Sequence, residues 1–267
     1  MELTLTGKTA LITGGSHGIG FAIAKAFAQA GAEAIIVGRT LETLLNASGV
    51  LRNIHGAIHG FECDVTDPQS VKSLFERVRC TVGKLDILVN NAGGAEKFGA
   101  FLDLADEDWR VAYDLNFMSM VYCSREAIPM LKQAAEPRII NISSVPAHQP
   151  GFFNPHYSAA KAAMLNLSKH LANVLAKDKI LVNAICPSTL KGGGWERNVR
   201  DRAARDGIPI EAAEHSVETE EQKKSPLGFV GTPEDVASLV VFLASSHANF
   251  LTGQCYNVDG GITRSIL

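Results

Sequence analysis

Short apolar runs recur along this chain, separated by longer stretches whose apolar residues return at helical spacing. Lys8–Thr13, Ala34–Val37, His59–Cys63, Leu85–Asn90, Arg138–Ser143, Leu181–Cys186 and Cys255–Val258 read as strands. Ile87-Leu88-Val89 and Ile139-Ile140-Asn141-Ile142 are almost continuously apolar, as a strand covered on both faces must be. Between the first two strands Ile19, Ala22, Ile23, Ala26, Phe27 and Ala30 share one helical face, and Gly31 stops the helix. Similar patterns predict helices over about 66–82, 106–133, 155–177 and 233–246. Strand–helix alternation of this kind predicts an α/β fold, a doubly wound parallel sheet with helices on both faces.

One segment breaks the rhythm. Residues 188 to about 232 form a long polar insertion that opens on Gly192-Gly193-Gly194 and Trp195. It reads either as a solvated surface excursion or as a substrate-covering lid with a glycine hinge and a tryptophan anchor.

Composition narrows the class. With 267 residues, 46% hydrophobic and 20% charged, the chain suits one large domain over 1–267 with a well-buried core. A formal charge of -3 and the lack of a basic stripe argue against a nucleic-acid partner. No apolar run approaches the ~18 residues of a membrane span. Met1 to Gly7 has no basic flank followed by an apolar run, so no signal peptide is expected. Cys63, Cys80, Cys123, Cys186 and Cys255 are scattered without a C-x-x-C pair. They are expected to be reduced thiols in a cytoplasmic protein with no metal site.

The candidate chemistry begins where the first strand runs into Thr13-Gly14-Gly15-Ser16-His17-Gly18-Ile19-Gly20. Glycines at 14, 18 and 20 let the backbone approach a pyrophosphate, and the following helix offers free N–H groups to it. At the end of the second strand an acid would bond the ribose 2′-hydroxyl of NAD. This chain has Gly38-Arg39-Thr40 instead. Arg39 can pair with a 2′-phosphate, so NADP(H) is favoured and NAD(H) stays possible. His17, if protonated, adds a second contact.

Tyr157 and Lys161 lie four residues apart, just over one helical turn, and so share a helix face. Hydride transfer to a ketone needs a proton donor, and an ammonium beside a phenol is expected to lower its pKa. Ser144, just beyond the fifth strand, can orient the substrate oxygen. Asn116 falls inside a helical pattern, where asparagine is disfavoured. Its alternative role is to cap or kink that helix. His156, one position before the tyrosine, points to another helix face and is expected to be structural. Phe152 and Phe153 either wall the substrate or pack between subunits, and His148 or Asn154 can add polar contacts.

Thr13-Gly14-x-x-x-Gly18-Ile19-Gly20, Asn90-Asn91-Ala92-Gly93, Ser144 and Tyr157-x-x-x-Lys161, in that order, resemble the short-chain dehydrogenase/reductase family. The likeness runs from about residue 6 to Val258-Asp259-Gly260-Gly261, and within the family is similar to NADP(H)-dependent ketoreductases of the 3-oxoacyl-reductase type. It implies a single Rossmann-type domain and an oxidoreductase acting on a small carbonyl or alcohol. It makes Tyr157 the general acid/base, Ser144 and Lys161 its partners, and Asn116 the holder of a water that relays protons to Lys161. Lys161 would also reach the nicotinamide ribose. Asp64 and Val65 would flank the adenine, and Asn91, Ala92 and Gly93 the adenosine and ribose. Gly14, Ser16, His17, Gly18, Ile19, Gly20, Arg39, Pro187, Ser188 and Leu190 complete the expected cofactor set.

The chain also departs from the family pattern. Ser188 replaces the usual glycine after Pro187, and Gly192 takes the place of a cofactor-contacting threonine, a role Thr189 can assume. Pro146-Ala147 replaces a common Ala-Gly pair. The family likeness further implies a homodimer or homotetramer, with the helices near 106–133 and 155–177 against a partner. A reading from another class, an NADP(H) sensor without turnover, is disfavoured by the intact Asn-Ser-Tyr-Lys set.

Overall fold

The computed structural model describes residues 3–192 and 194–265. Seven strands, β1 (Thr9–Thr13), β2 (Glu33–Gly38), β3 (Ile58–Glu62), β4 (Ile87–Asn90), β5 (Arg138–Ile142), β6 (Leu181–Pro187) and β7 (Cys255–Val258), form one sheet in the order β3-β2-β1-β4-β5-β6-β7. Every pairing is parallel. The helices are α1 (Gly18–Gln29), α2 (Leu41–Arg52), α3 (Pro68–Thr81), α4 (Asp106–Tyr113), α5 (Ser119–Leu131), α6 (Pro155–Leu175), α7 (Trp195–Asp206), α8 (Ile210–Lys224) and α9 (Pro233–Ala244). None of them is long and apolar enough to cross a membrane.

Successive strand residues point to opposite faces, and the two cores divide accordingly. Ala10, Ile12, Ile36, Ile87, Val89 and Ile140 face Ile23 and Phe27 of α1, Leu51 of α2 and Val240 of α9. Leu11, Ile35, Val37, Leu88, Ile139 and Val182 face Leu74 and Phe75 of α3, Ala127 of α5 and Ala172 of α6. This is why β1, β2 and β4 read as unbroken apolar runs: neither face touches water. The winding reverses between β1 and β4, which pair as Ala10↔Ile87 and Ile12↔Val89. Their carboxyl ends therefore open the crevice where doubly wound sheets bind ligands.

The seven expected strands all form, with ends shifted by a few residues. The pattern misses α2. Its inward face is Leu44, Ala47, Ser48 and Leu51, and a serine interrupts the apolar stripe. That serine is small for a reason. A Cβ on Gly60 of β3 would sit 2.7 Å from Ser48 Oγ, so helix and strand approach too closely for a larger pair. The helix expected over 106–133 is divided. A π-helical turn, Asp114–Met118, separates α4 from α5. The insertion after β6 is not a structureless excursion. It holds α7 and α8, whose Trp195, Val199, Ala203, Ala213 and Val217 form a small core with Val230. Gly193, in the expected hinge, lies outside the described residues.

Phe75 is fully buried between α3 and the sheet. Phe75→Ala should cost about 3–5 kcal/mol in urea unfolding. A loss under about 1 kcal/mol would mean that this face of the sheet is not the packed core described.

Candidate active site

At the switch point the ends of β1 and β4 are stitched together. The Thr13 hydroxyl oxygen accepts from the N–H groups of Asn91 and Ala92 at 3.0 and 2.9 Å, and Asn91 Nδ2 donates to the Thr13 carbonyl at 2.9 Å. The Asn91 amide thus shapes the glycine loop. Gly14 and Gly18 have φ of 65° and 53°, and a Cβ on Gly20 would lie 2.1 Å from the Gly14 carbonyl oxygen. No side chain caps α1, and no acid lies in its first turn. Its leading N–H groups are open to an anion. His17 turns to Ser16 Oγ at 3.2 Å. The residues therefore fit the pyrophosphate of a dinucleotide.

Around this cradle, Arg39 is exposed at the end of β2 and makes no ion pair among the described residues. Gly38 beside it packs near Ser16, whose Oγ is 3.4 Å from where a Gly38 Cβ would be. Val65 is buried. The Asp64 carboxylate closes its own turn, accepting from Thr66 N and Oγ1 at 2.9 and 2.7 Å.

The catalytic candidates converge from three segments. Ser144 stands just beyond β5, near enough to the Tyr157 phenol to lower its pKa. Ser144 Oγ also reaches the Pro187 carbonyl at 3.5 Å. Lys161, one turn along α6, lies with its ammonium 5.7 Å from the Tyr157 ring centre. That ammonium donates to the Ile142 carbonyl at 2.9 Å. Asn116 sits in the π-helical turn, fully buried. Its Oδ1 accepts from Gly94 N at 2.9 Å, and its Nδ2 donates to the carbonyls of Gly94 and Ala112, both at 2.9 Å. A Cβ on Gly93 would meet Asn116 Oδ1 at 2.7 Å and Lys161 Nζ at 2.9 Å, so only glycine passes between them.

Burial dominates the electrostatics. It pushes the Lys161 ammonium down from 10.5 to about 8. It also pushes the Tyr157 phenol up, partly opposed by Ser144. The expected lysine-driven lowering of the phenol is therefore absent. Lys161 directs its ammonium to a backbone carbonyl and makes no hydrogen bond to the phenol oxygen, so desolvation wins. Beneath the pair, the Cys186 thiol is 3.3 Å from Cys255 Sγ. That contact and burial raise it, so it stays neutral.

The departures after β6 also take shape. Ser188 N–H donates to the Val258 carbonyl at 3.2 Å, and buried Leu190 bridges to Gly231. Ser188, Thr189 and Leu190 line an open cavity of about 510 Å³ together with Leu227, Phe229 and Gly260. Trp195 is buried, donating to Glu214 at 3.2 Å. It anchors α7 to α8 rather than to a substrate. Phe152 and Phe153 protrude, 96% and 65% exposed, and form no closed wall in this single chain. His156 is buried edge-on against Trp109 at 6.0 Å, a packing role. Sequence reasoning missed Thr13 as the stitch and Gly94 as the object of Asn116. It also missed Arg197, which reaches from α7 to the loop after β4. The threonine opening the glycine motif was the one available signal.

Comparison with known proteins places these features in context. The family model described as enoyl-(acyl carrier protein) reductase matches residues 14–263. A 3-oxoacyl-(acyl-carrier-protein) reductase, FabG of Aquifex aeolicus, is 32% identical over 98% of this chain and 100% of its own. D-beta-hydroxybutyrate dehydrogenase of Cupriavidus necator is 34% identical over 96% and 98%. The crystal structure of L-sorbose reductase from Gluconobacter frateurii, complexed with NADPH and L-sorbose, superposes with a TM-score of 0.93 at 33% identity, covering all of both chains.

The buried ammonium has a thermodynamic signature. Its folded pKa lies below the unfolded value, so the unfolded chain binds more protons between about pH 8 and 10.5. Stability from this group therefore rises with pH across that window. Lys161→Met should be more stable than the wild type at pH 7, by about 3 kcal/mol. The gap should close by pH 10.5. A variant less stable at pH 7, or a gap that ignores pH, would contradict the burial argument.

Proposed function

The chain belongs to the short-chain dehydrogenase/reductase family, and from that premise we propose that it moves a hydride between NADP(H) and a ketone or secondary alcohol. The observation that carries this reading is the meeting of Ser144, Tyr157, Lys161 and Asn116 beside an uncapped, glycine-lined helix terminus. When bound, the nicotinamide supplies or accepts the hydride. Gly14, Ser16, His17, Gly18, Ile19 and Gly20 would hold the pyrophosphate end. Asp64 and Val65 would border the adenine, and Ala92, Gly93, Pro187, Ser188 and Leu190 the remainder.

The protein's own groups do the proton work. Tyr157 donates its phenolic proton to the substrate oxygen in reduction and accepts it in oxidation. Ser144, beside that phenol, holds the oxygen at the proton. Lys161, on the same helix face, would hold the nicotinamide ribose beside that phenol. Asn116 keeps Gly94 fixed, and so keeps clear the space that Gly93 leaves beside Lys161.

Arg39 supports NADP(H), because an exposed guanidinium without a carboxylate partner is free for a 2′-phosphate. The NADPH in the Gluconobacter L-sorbose reductase supports the same choice. NAD(H) is the alternative for this site. The whole chain reads as one domain whose 188–232 segment covers the substrate, assembled as a homodimer or homotetramer.

Tyr157→Phe should lower NADPH-dependent carbonyl reduction by at least about a hundredfold while NADPH still binds. Full activity in that variant would remove Tyr157 from the chemistry. Arg39→Asp should weaken NADPH binding about tenfold or more and leave NADH binding equal or tighter. Equal losses for both cofactors would assign Arg39 to the shared part of the dinucleotide.

A further inference from the structure

The loop that follows Gly93 is gripped from every side. Asn116 holds both the N–H and the carbonyl of Gly94. Lys97 pairs with Asp108 of α4 at 2.8 Å. Gly99 N–H donates to Asn154 Oδ1 at 3.1 Å, and its carbonyl accepts from Asn154 N at 2.8 Å. Asn154 stands three residues before Tyr157, at the start of α6. The carbonyls of Ala95 and Glu96 both accept from Arg197 on α7, the former at 3.0 Å. The same guanidinium stacks on Phe98 at 5.8 Å, and its Nε lies 3.8 Å from Asp201.

α7 has few other claims on the catalytic floor. Its apolar face is turned to α8, in the small core around Trp195. Its ion pairs also run within the insertion, as Arg202 with Glu220 at 2.7 Å and with Asp206 at 3.6 Å. The insertion is thus a unit with its own core, and a forked guanidinium on two backbone carbonyls fastens it to the loop that Asn116 holds. A planar fork is well shaped for this contact, since it spans two adjacent acceptors and leaves a flat face for Phe98.

We propose that Arg197 is a positioning residue, the latch that sets the α7–α8 insertion over the catalytic pocket by gripping the Ala95–Glu96 backbone. Its identification as a cover for substrate rests on the oxidoreductase reading above. The latch itself does not. Asn116 and Arg197 hold adjacent residues of one short loop, so the position of the cover and the floor beside Lys161 are set together. Loss of the latch should loosen the cover without unfolding the sheet, because Arg197 is partly exposed and outside both sheet cores.

Arg197→Met and Arg197→Lys test it. Ligand-free protein is treated with a protease of broad specificity, and cleavage within 195–224 is timed. Arg197→Met should be cut there about tenfold faster than wild type, the scale of one lost charge-assisted hydrogen bond, with an unchanged melting temperature. Arg197→Lys, which keeps the charge but not the fork, should fall between. Equal cleavage rates in all three proteins would overturn the latch. With NADPH and an accepted ketone, Arg197→Met should raise KM for the ketone about tenfold with kcat within about twofold. Faster cleavage with an unchanged KM would keep the latch and deny it a role over substrate. If no carbonyl turns over in the wild type, the proteolysis still decides the latch, and the oxidoreductase reading fails separately.

Discussion

A lysine ammonium lies buried where the sheet meets α6, and most of the site follows from the need to tolerate it. Its one hydrogen bond among the described residues goes to the Ile142 carbonyl, and burial lowers its pKa to about 8. No carboxylate among the described residues pairs with it. A group so placed makes the ligand-free protein less stable than an apolar side chain would. The glycine at 93 is a consequence, since a side chain there would collide with the ammonium and with Asn116. The π-helical turn is another. A helix that takes five residues where a regular path would fit fewer lets Asn116 hold Gly94 while keeping one bond back to the Ala112 carbonyl.

Tyr157 shows why a pair of residues and a proton affinity are different kinds of information. The four-residue spacing does bring the phenol and the ammonium onto one face. It says nothing about where the ammonium points or how dry the pocket is. Desolvation raises the phenol, and the Lys161 charge goes to a backbone carbonyl. Short spacings along a helix were readable because the helix repeat converts them to geometry. Burial depends on elements far away along the chain, and no local pattern contains it.

The same division runs through the fold. The strands were legible because a sheet covered on both faces requires apolar residues at every position, and β1, β2 and β4 supply them. α2 escaped because Ser48 sits on its inward face. The serine fits there only because Gly60 faces it from β3, a contact between separate elements that periodicity cannot display. α7 and α8 escaped because their apolar residues are few and serve a core of their own. The charge density that made the insertion look solvated is real: its ion pairs mostly stay within the insertion.

The family pattern and this chain part company at the start of the insertion. Ser188, Thr189 and Leu190 border an open cavity lined also by later residues of the insertion and by Gly260. The Ser225 hydroxyl donates to the Gly260 carbonyl at 3.3 Å. On the opposite side Arg197 ties the insertion to the loop above Asn116. The insertion is thus held at both ends by backbone contacts and between them by a small core of its own. Side chains on its inner surface can change without disturbing the sheet, the glycine loop or the Tyr157–Lys161 face.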